Sequence, residues 1–215
     1  LEQYVFDKMN RHHSYFMLWQ NDASIIIGKH QNTAAEIHQD YVKRNKIHVV
    51  RRLSGGGAVY HDMGNINFTY ITDQDSELFD FSKFCLPVIK VLKQLGIHAE
   101  INGRNDMEID GKKFSGNSQY AKEGRIMHHG TLMFDSELEV LEKALSVPED
   151  KIRSKGHDSV RSRVTNIRPY LKNDMETKEF FHAIKQFMLK ENQLDTYELT
   201  EEDLDAVKAL QHERY

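Results

Sequence analysis

Apolar residues open the chain at helical spacing, with Leu1, Tyr4, Val5 and Met9 on one face of a predicted first helix. The pattern then shortens. YFMLWQ (15–20) and SIIIGKH (24–30) read as strands from their aromatic and β-branched content. Residues 34–45 predict an exposed helix and IHVVRR (47–52) a buried strand. AVYHD and NINFTYIT (65–72) predict a hairpin that turns at Met63-Gly64. Phe81, Phe84, Cys85, Val88, Leu92 and Leu95 mark one face of a helix that Gly96 ends. Between 98 and 134, short strands are broken at Asn102-Gly103, Asp110-Gly111 and Gly124. Helices follow at about 136–145 and 176–192, and another opens at Thr200 with Asp203 at the capping-box position. Strands that turn back on themselves beside helices predict an α+β fold of mixed, largely antiparallel sheets flanked by helices, not a parallel doubly wound one. No repeat or Pro-rich linker divides residues 1–215, so one domain is expected.

Composition narrows the function. A net charge of −4 argues against general nucleic-acid binding, which shows a basic excess. No run approaches the roughly 20 apolar residues of a membrane span. A lone cysteine, Cys85, excludes an internal disulfide framework and fits a reducing compartment such as the cytoplasm. Charge is unevenly spread: residues 151–172 carry a local +6 and residues 174–205 a local −7. These are either two solvated faces or, for the basic stretch, a surface for an anionic ligand or an acidic partner.

The candidate chemistry begins at RRLSGGGAVYHD (51–62). Three successive glycines cost conformational entropy, which implies a sharp turn or a close approach by something else. The segment is neither a phosphate loop nor a dinucleotide fingerprint. Its amides can still form an anion nest beside Arg51 and Arg52. A second cluster, GRNDMEIDGKKFSGNSQY (103–120), sets Lys113 on a returning strand among small residues, which suits a fixed cation over a bound anion. HHGTLMF (128–134) then adds His128 and His129, which point apart on a strand. With His12 and His13 they lack acidic or cysteine neighbours at zinc-ligand spacing. Cys85, on an apolar helix face, reads as a small buried hydrophobe rather than a nucleophile.

RRLSGGGAVYHDMGN, GRND, K-x-S-G, HHGTL and KGHDSVRSRVTN, in this order and spacing, resemble the lipoate–protein ligases over most of the chain. The resemblance implies a biotin/lipoate ligase-like catalytic domain that activates lipoate with ATP and magnesium to lipoyl-AMP. It then passes the lipoyl group to a lysine of the lipoyl domains of 2-oxoacid dehydrogenase complexes or of the glycine-cleavage H protein. Members of that family also carry a first strand ahead of the position of Leu1 and an accessory domain after that of Tyr215, two elements that residues 1–215 are expected to lack. Lys113 takes the position of the lysine that touches both the lipoyl carbonyl and the phosphate. Arg52, Gly57, Ala58, Val59, Tyr60, Ser159 and Arg161, with Arg163, fall at adenylate-binding positions. Ser54, Gly56, Gly57, Asn65 and His129 fall at lipoate-binding ones, and Asp106 at a place to hold Lys113 or magnesium. A lipoyl or octanoyl transferase working from a preformed acyl donor is the alternative within this fold. A non-catalytic lipoate- or acceptor-binding module is a third reading.

Overall fold

In the computed structural model, residues 1–73, 80–103, 105–146 and 163–214 are described. Nine strands form two sheets among the described residues. The larger has six antiparallel strands in the order β1 (Tyr15–Trp19), β5 (Asn65–Asp73), β9 (Arg125–Met133), β8 (Lys112–Lys122), β7 (Asp106–Ile109) and β6 (Glu100–Asn102). The smaller has β2 (Ser24–Ile27) at its centre, parallel to β3 (His48–Arg51) and antiparallel to β4 (Val59–His61). The α+β expectation holds, with β2–β3 the one parallel pair among the named strands.

Period-2 alternation assigns each face of the large sheet a task. Ile66 and Phe68 of β5, with Leu132 of β9 and Phe134 just beyond it, enter a core closed by two helices. These are α4 (Ser82–Gln94) and α6 (Thr177–Asn192). α4 buries Phe84, Cys85, Val88, Val91 and Leu92, as its spacing predicts, and Asp80 Oδ1 accepts from the Ser82 amide at its start. α6 carries a capping box between Glu176 and Glu179 and stacks Phe180 on Phe134 at 4.3 Å. On the other face, Ile71 and Met127 meet α1 (Glu2–Asp7), against which α7 (Glu201–Arg214) packs Ala206, Val207 and Leu210. Tyr4 donates to the buried Asp203 carboxylate, which also accepts from Tyr197 and the Thr200 amide. Buried Arg125 donates to the Phe6 carbonyl at 2.7 Å. The first helix is therefore tied at both its middle and its end.

Three sequence expectations change. Residues 34–45 form two short helices, α2 (Thr33–Glu36) and α3 (Gln39–Arg44), because Ile37 bridges to Leu145 between them. β3 is an exposed edge strand, not a buried one, with only β2 beside it. The segments 59–61 and 65–73 are not a hairpin. Asp62 accepts from the Gly64 and Asn65 amides through Oδ1 and its carbonyl, turning the chain out of the small sheet and into the large one. α5 (Leu138–Ala144) then packs Leu141 and Ala144 under the small sheet.

The two adjacent histidines do point apart. His128 is fully buried, stacked on Phe84 at 4.7 Å, with Gln119 Nε2 donating to its Nδ1 and its Nε2 donating to Asn117 Oδ1. Burial, helped by the neighbouring His129, pushes its pKa down to about 3. An unfolded histidine titrates near 6.5, so below that pH the unfolded chain binds a proton that the folded chain refuses. Stability from His128 is complete above about pH 6.5 and is lost as pH falls toward 3. In His128→Gln, the fall in denaturant-derived stability between pH 6 and 4 should be shallower by up to about 1.4 kcal/mol per pH unit. An unchanged slope would show that His128 is not held neutral.

Candidate active site

Where the two sheets meet lies a half-open cleft with about 130 Å³ of space. Its floor is the polar alternation of the large sheet: Asn67 of β5, Ser118 of β8, His129 and Thr131 of β9. Ile26, Val59 and His61 of the small sheet, the glycine loop, Lys113 and Asn105 complete its lining.

Arg52 organises the loop. Its Nε donates to Ser54 Oγ at 3.0 Å, one terminal nitrogen to the Ile26 carbonyl at 3.0 Å, and the other to the carbonyls of Gly55 and Gly57 at 2.6 and 2.8 Å. Burial lowers its pKa to about 10, so it stays charged at neutral pH. The guanidinium expected to bind phosphate is therefore spent largely on the loop, and a phosphate would have to compete with these carbonyls. Arg51 braces the preceding turn through the carbonyls of Gly28 and Gln31. Gly56 sits at φ +92°, a region that costs other residues strain. At Gly55 and Gly57, by contrast, an added Cβ would meet nothing within 4 Å. Those two positions keep space open without being needed by the fold.

Lys113 is held by its backbone on two sides. A β-bulge in β7–β8 pairs Glu108 with Lys113 and Met107 with Ser115, skipping Phe114, which is fully buried in the core. Val164 bridges to Lys113 in parallel, and the Thr165 amide donates to the Lys113 carbonyl at 2.9 Å. The side chain, about a third exposed, pairs with Asp106 Oδ1 at 2.7 Å. Asp106 thus holds the lysine. No group of three or more histidine, cysteine or acidic residues comes together as a metal centre among the described residues.

His129 completes the site, joining Ser54 Oγ at 2.6 Å and Glu2 Oε1 at 2.9 Å. Ser54 is buried behind it and does not line the cleft. Of the other expected residues, Gly56, Gly57, Ala58 and Val59 line the cleft, whereas Tyr60 packs in the small-sheet core, where burial pushes its hydroxyl up to about 12. Asn65 lies one strand repeat away, its Nδ2 donating to Asn67 Oδ1, so Asn67 takes the place in the cleft expected of Asn65. Ser159 and Arg161 fall outside the described residues. The chain is described again from Arg163, one residue before Val164 reaches Lys113.

Sequence reasoning missed Glu2, Trp19, His61, Asn67, Ser118 and Thr131, all of which line the cleft. The alternation in Asn65-Ile66-Asn67-Phe68-Thr69 carried the signal. It reads as one solvated face, yet all three polar residues are buried. His61 is neutral at physiological pH, its pKa lowered to about 3 chiefly by burial.

Residues 1–189 match the lipoyl protein ligase A/B catalytic domain. The lipoate-protein ligase LplJ of Bacillus subtilis is 48% identical over 219 residues, covering 100% of this chain and 66% of that protein. A bi-partite lipoate protein ligase from Thermoplasma acidophilum superposes with a TM-score of 0.84 at 28% identity, over 97% of this chain and 84% of the other. P. falciparum LipL1, solved in complex with lipoate, gives a TM-score of 0.69 at 29% identity, over 87% of this chain and 52% of the other. The fold and cleft are those of a lipoate ligase-like catalytic domain. The chain belongs to the lipoyl protein ligase A/B catalytic domain family. It spans about two thirds of the length of the curated relatives it matches.

Proposed function

We propose that residues 1–215 form the catalytic domain of an ATP-dependent lipoate–protein ligase. The observation that carries the reading is Lys113, a cation fixed by its backbone in a cleft that an open glycine loop also lines. Two anions must meet there, the lipoate carboxylate and the α-phosphate of ATP. One carboxylate oxygen attacks the α-phosphorus, pyrophosphate leaves, and lipoyl-AMP forms. The Lys113 ammonium lies where it can neutralise both anions and then the developing charge. In the second step the neutral ε-amine of an acceptor lysine attacks the lipoyl carbonyl. An amide forms, AMP leaves with the bonding pair, and the amine proton passes to solvent.

Gly57, Ala58 and Val59 offer backbone to the adenylate, while Trp19, Asn67 and His129 face the acyl group. Asp106, a single carboxylate already paired with Lys113, fits a magnesium ion carried in on the phosphates and giving it one ligand, not a resident metal centre. Magnesium would supply charge neutralisation on the polyphosphate. The acceptors are lipoyl domains or the glycine-cleavage H protein. The reaction belongs to the cytoplasm, and no described helix is long and apolar enough to cross a membrane. The bi-partite relative is described together with its E2 lipoyl domain as one lipoylation system, which supports an acceptor of that type. A transferase with a cysteine thioester is disfavoured, because Cys85 is fully buried and burial pushes its thiol up to about 12.

Intact-mass analysis of a lipoyl domain incubated with this chain, lipoate and magnesium tests the proposal. Mass gain that requires ATP supports it. Gain only from synthetic lipoyl-adenylate would reduce the chain to a transferase, and gain from neither would overturn the reading.

A further inference from the structure

A chain of hydrogen bonds runs beneath the cleft, with a group that can only donate at each end. Trp19 Nε1 can only donate, and does so to Thr69 Oγ1 at 3.0 Å. The Thr69 hydroxyl then gives its own hydrogen to Glu2 Oε1 at 2.6 Å. At the other end Arg52 can only donate, and does so to Ser54 Oγ. The Ser54 oxygen accepts there, and the one acceptor described for its own hydrogen is His129 Nε2, which is bare in that arrangement. The ring proton sits on Nδ1 and points at Glu2 Oε1. Two donors converge on one oxygen, which favours the ionised form of Glu2. Burial pushes its carboxyl up, but the His129 ring and the Thr69 hydroxyl outweigh this and hold it below the ordinary value. His128, next along the strand, carries its proton on Nε2 instead, bonded to Asn117. Sequence alone does not dictate either tautomer; the partner does.

We infer that Glu2 is a positioning residue for the activation step, resting on the ligase reading above. By accepting from Nδ1 it keeps His129 Nε2 an acceptor. That gives the Ser54 hydrogen its acceptor, keeps the Ser54 oxygen turned to Arg52, and so steadies the guanidinium that clamps Gly55 and Gly57. Without the carboxylate, His129 is free to carry its proton on Nε2. The Ser54 oxygen would then accept from both Arg52 and His129, its own hydrogen would lose its acceptor, and the turn of Ser54 that restores one would loosen the clamp on the glycine loop. Glu2 reaches the cleft because α1 is tied by Tyr4 to Asp203 and by Phe6 to Arg125, so its place does not depend on the ion pair alone.

The test compares Glu2→Ala and Glu2→Gln in the full-length protein, reading the ¹⁵N shifts of His129 and the kinetics of pyrophosphate release. Glutamine keeps an oxygen to accept from Nδ1; alanine does not. The wild type and Glu2→Gln should show the Nδ1–H tautomer, and Glu2→Ala a mixture or the Nε2–H form. Glu2→Ala should lower kcat/KM for lipoate about 10- to 100-fold, the scale on which the orienting partners of metal-bound histidines act. Glu2→Gln should recover most of it. An unchanged tautomer in Glu2→Ala would overturn the inference, as would folded Glu2→Gln as impaired as alanine. The tautomer reading needs no turnover. Failure of the wild type to release pyrophosphate would therefore count against the ligase reading while the role of Glu2 is still judged.

Discussion

Lys113→Ala is expected to reduce lipoyl-adenylate formation by about three orders of magnitude while barely moving the melting temperature. The loss follows from charge. A unit charge pair about 4 Å apart at an effective dielectric near 20 is worth about 4 kcal/mol, which is close to a thousandfold in rate. Among the described residues the other arginine or lysine lining the cleft, Arg52, does not replace it readily, because its guanidinium is already engaged with three loop groups and the Ile26 carbonyl. The small cost in stability follows from exposure. Lys113 and Asp106 are each about a third exposed, and such pairs contribute at most about 1 kcal/mol. The bulge and the Val164 bridge that place the lysine are backbone features and survive truncation of the side chain. Pyrophosphate release and a thermal melt, measured on the same preparation, check both halves. Turnover within a few-fold of the wild type would remove Lys113 from the chemistry. A collapsed melt would mean that its role is structural.

The α+β class and most elements were legible in the sequence for local reasons. α4 shows its buried face at i, i+4 and i+7 spacing and ends at a glycine; α6 shows Phe180, Ile184 and Phe187 in the same way. What local pattern could not supply was which sheet a strand joins. β4 and β5 look like a hairpin because both alternate and a Met-Gly pair separates them. The deciding contacts are non-local, since the Gly64 carbonyl is taken by the amides of Phe134 and Asp135 and the two strands pair with different partners. The same limit hid part of the site. Asn67 and Thr69 look like solvent-facing positions of an amphipathic strand, and become site residues only because the small sheet and α1 cover that face. Glu2 looks like the acidic first turn of any helix. The distance in sequence to His129, its partner, leaves no local trace.

The glycines separate what the fold needs from what a ligand needs. The sequence draws attention to the triplet, yet the tightest contact involving that loop lies outside it. A Cβ on Gly28 would stand 2.1 Å from the Gly56 carbonyl oxygen and 3.2 Å from an Arg52 terminal nitrogen. Backbone at that distance cannot yield without moving the loop. Gly28→Ala is therefore expected to cost about 1–3 kcal/mol of stability, the range for overpacking a fitted site, and to abolish ligand binding with it. Gly57→Val should behave differently. Nothing stands within 4 Å of its added Cβ, and its φ lies outside the left-handed region, so stability should stay within about 0.5 kcal/mol. Its side chain would project into the space that the adenylate is proposed to fill, so affinity for a non-hydrolysable lipoyl-adenylate analogue should fall at least about 100-fold, near 2.7 kcal/mol. Calorimetric titration and denaturant unfolding on both variants give the contrast: one glycine whose loss costs fold and binding together, another whose loss costs binding alone. If Gly57→Val binds the analogue as tightly as the wild type, the open space above the loop is solvent and the adenylate lies elsewhere in the cleft.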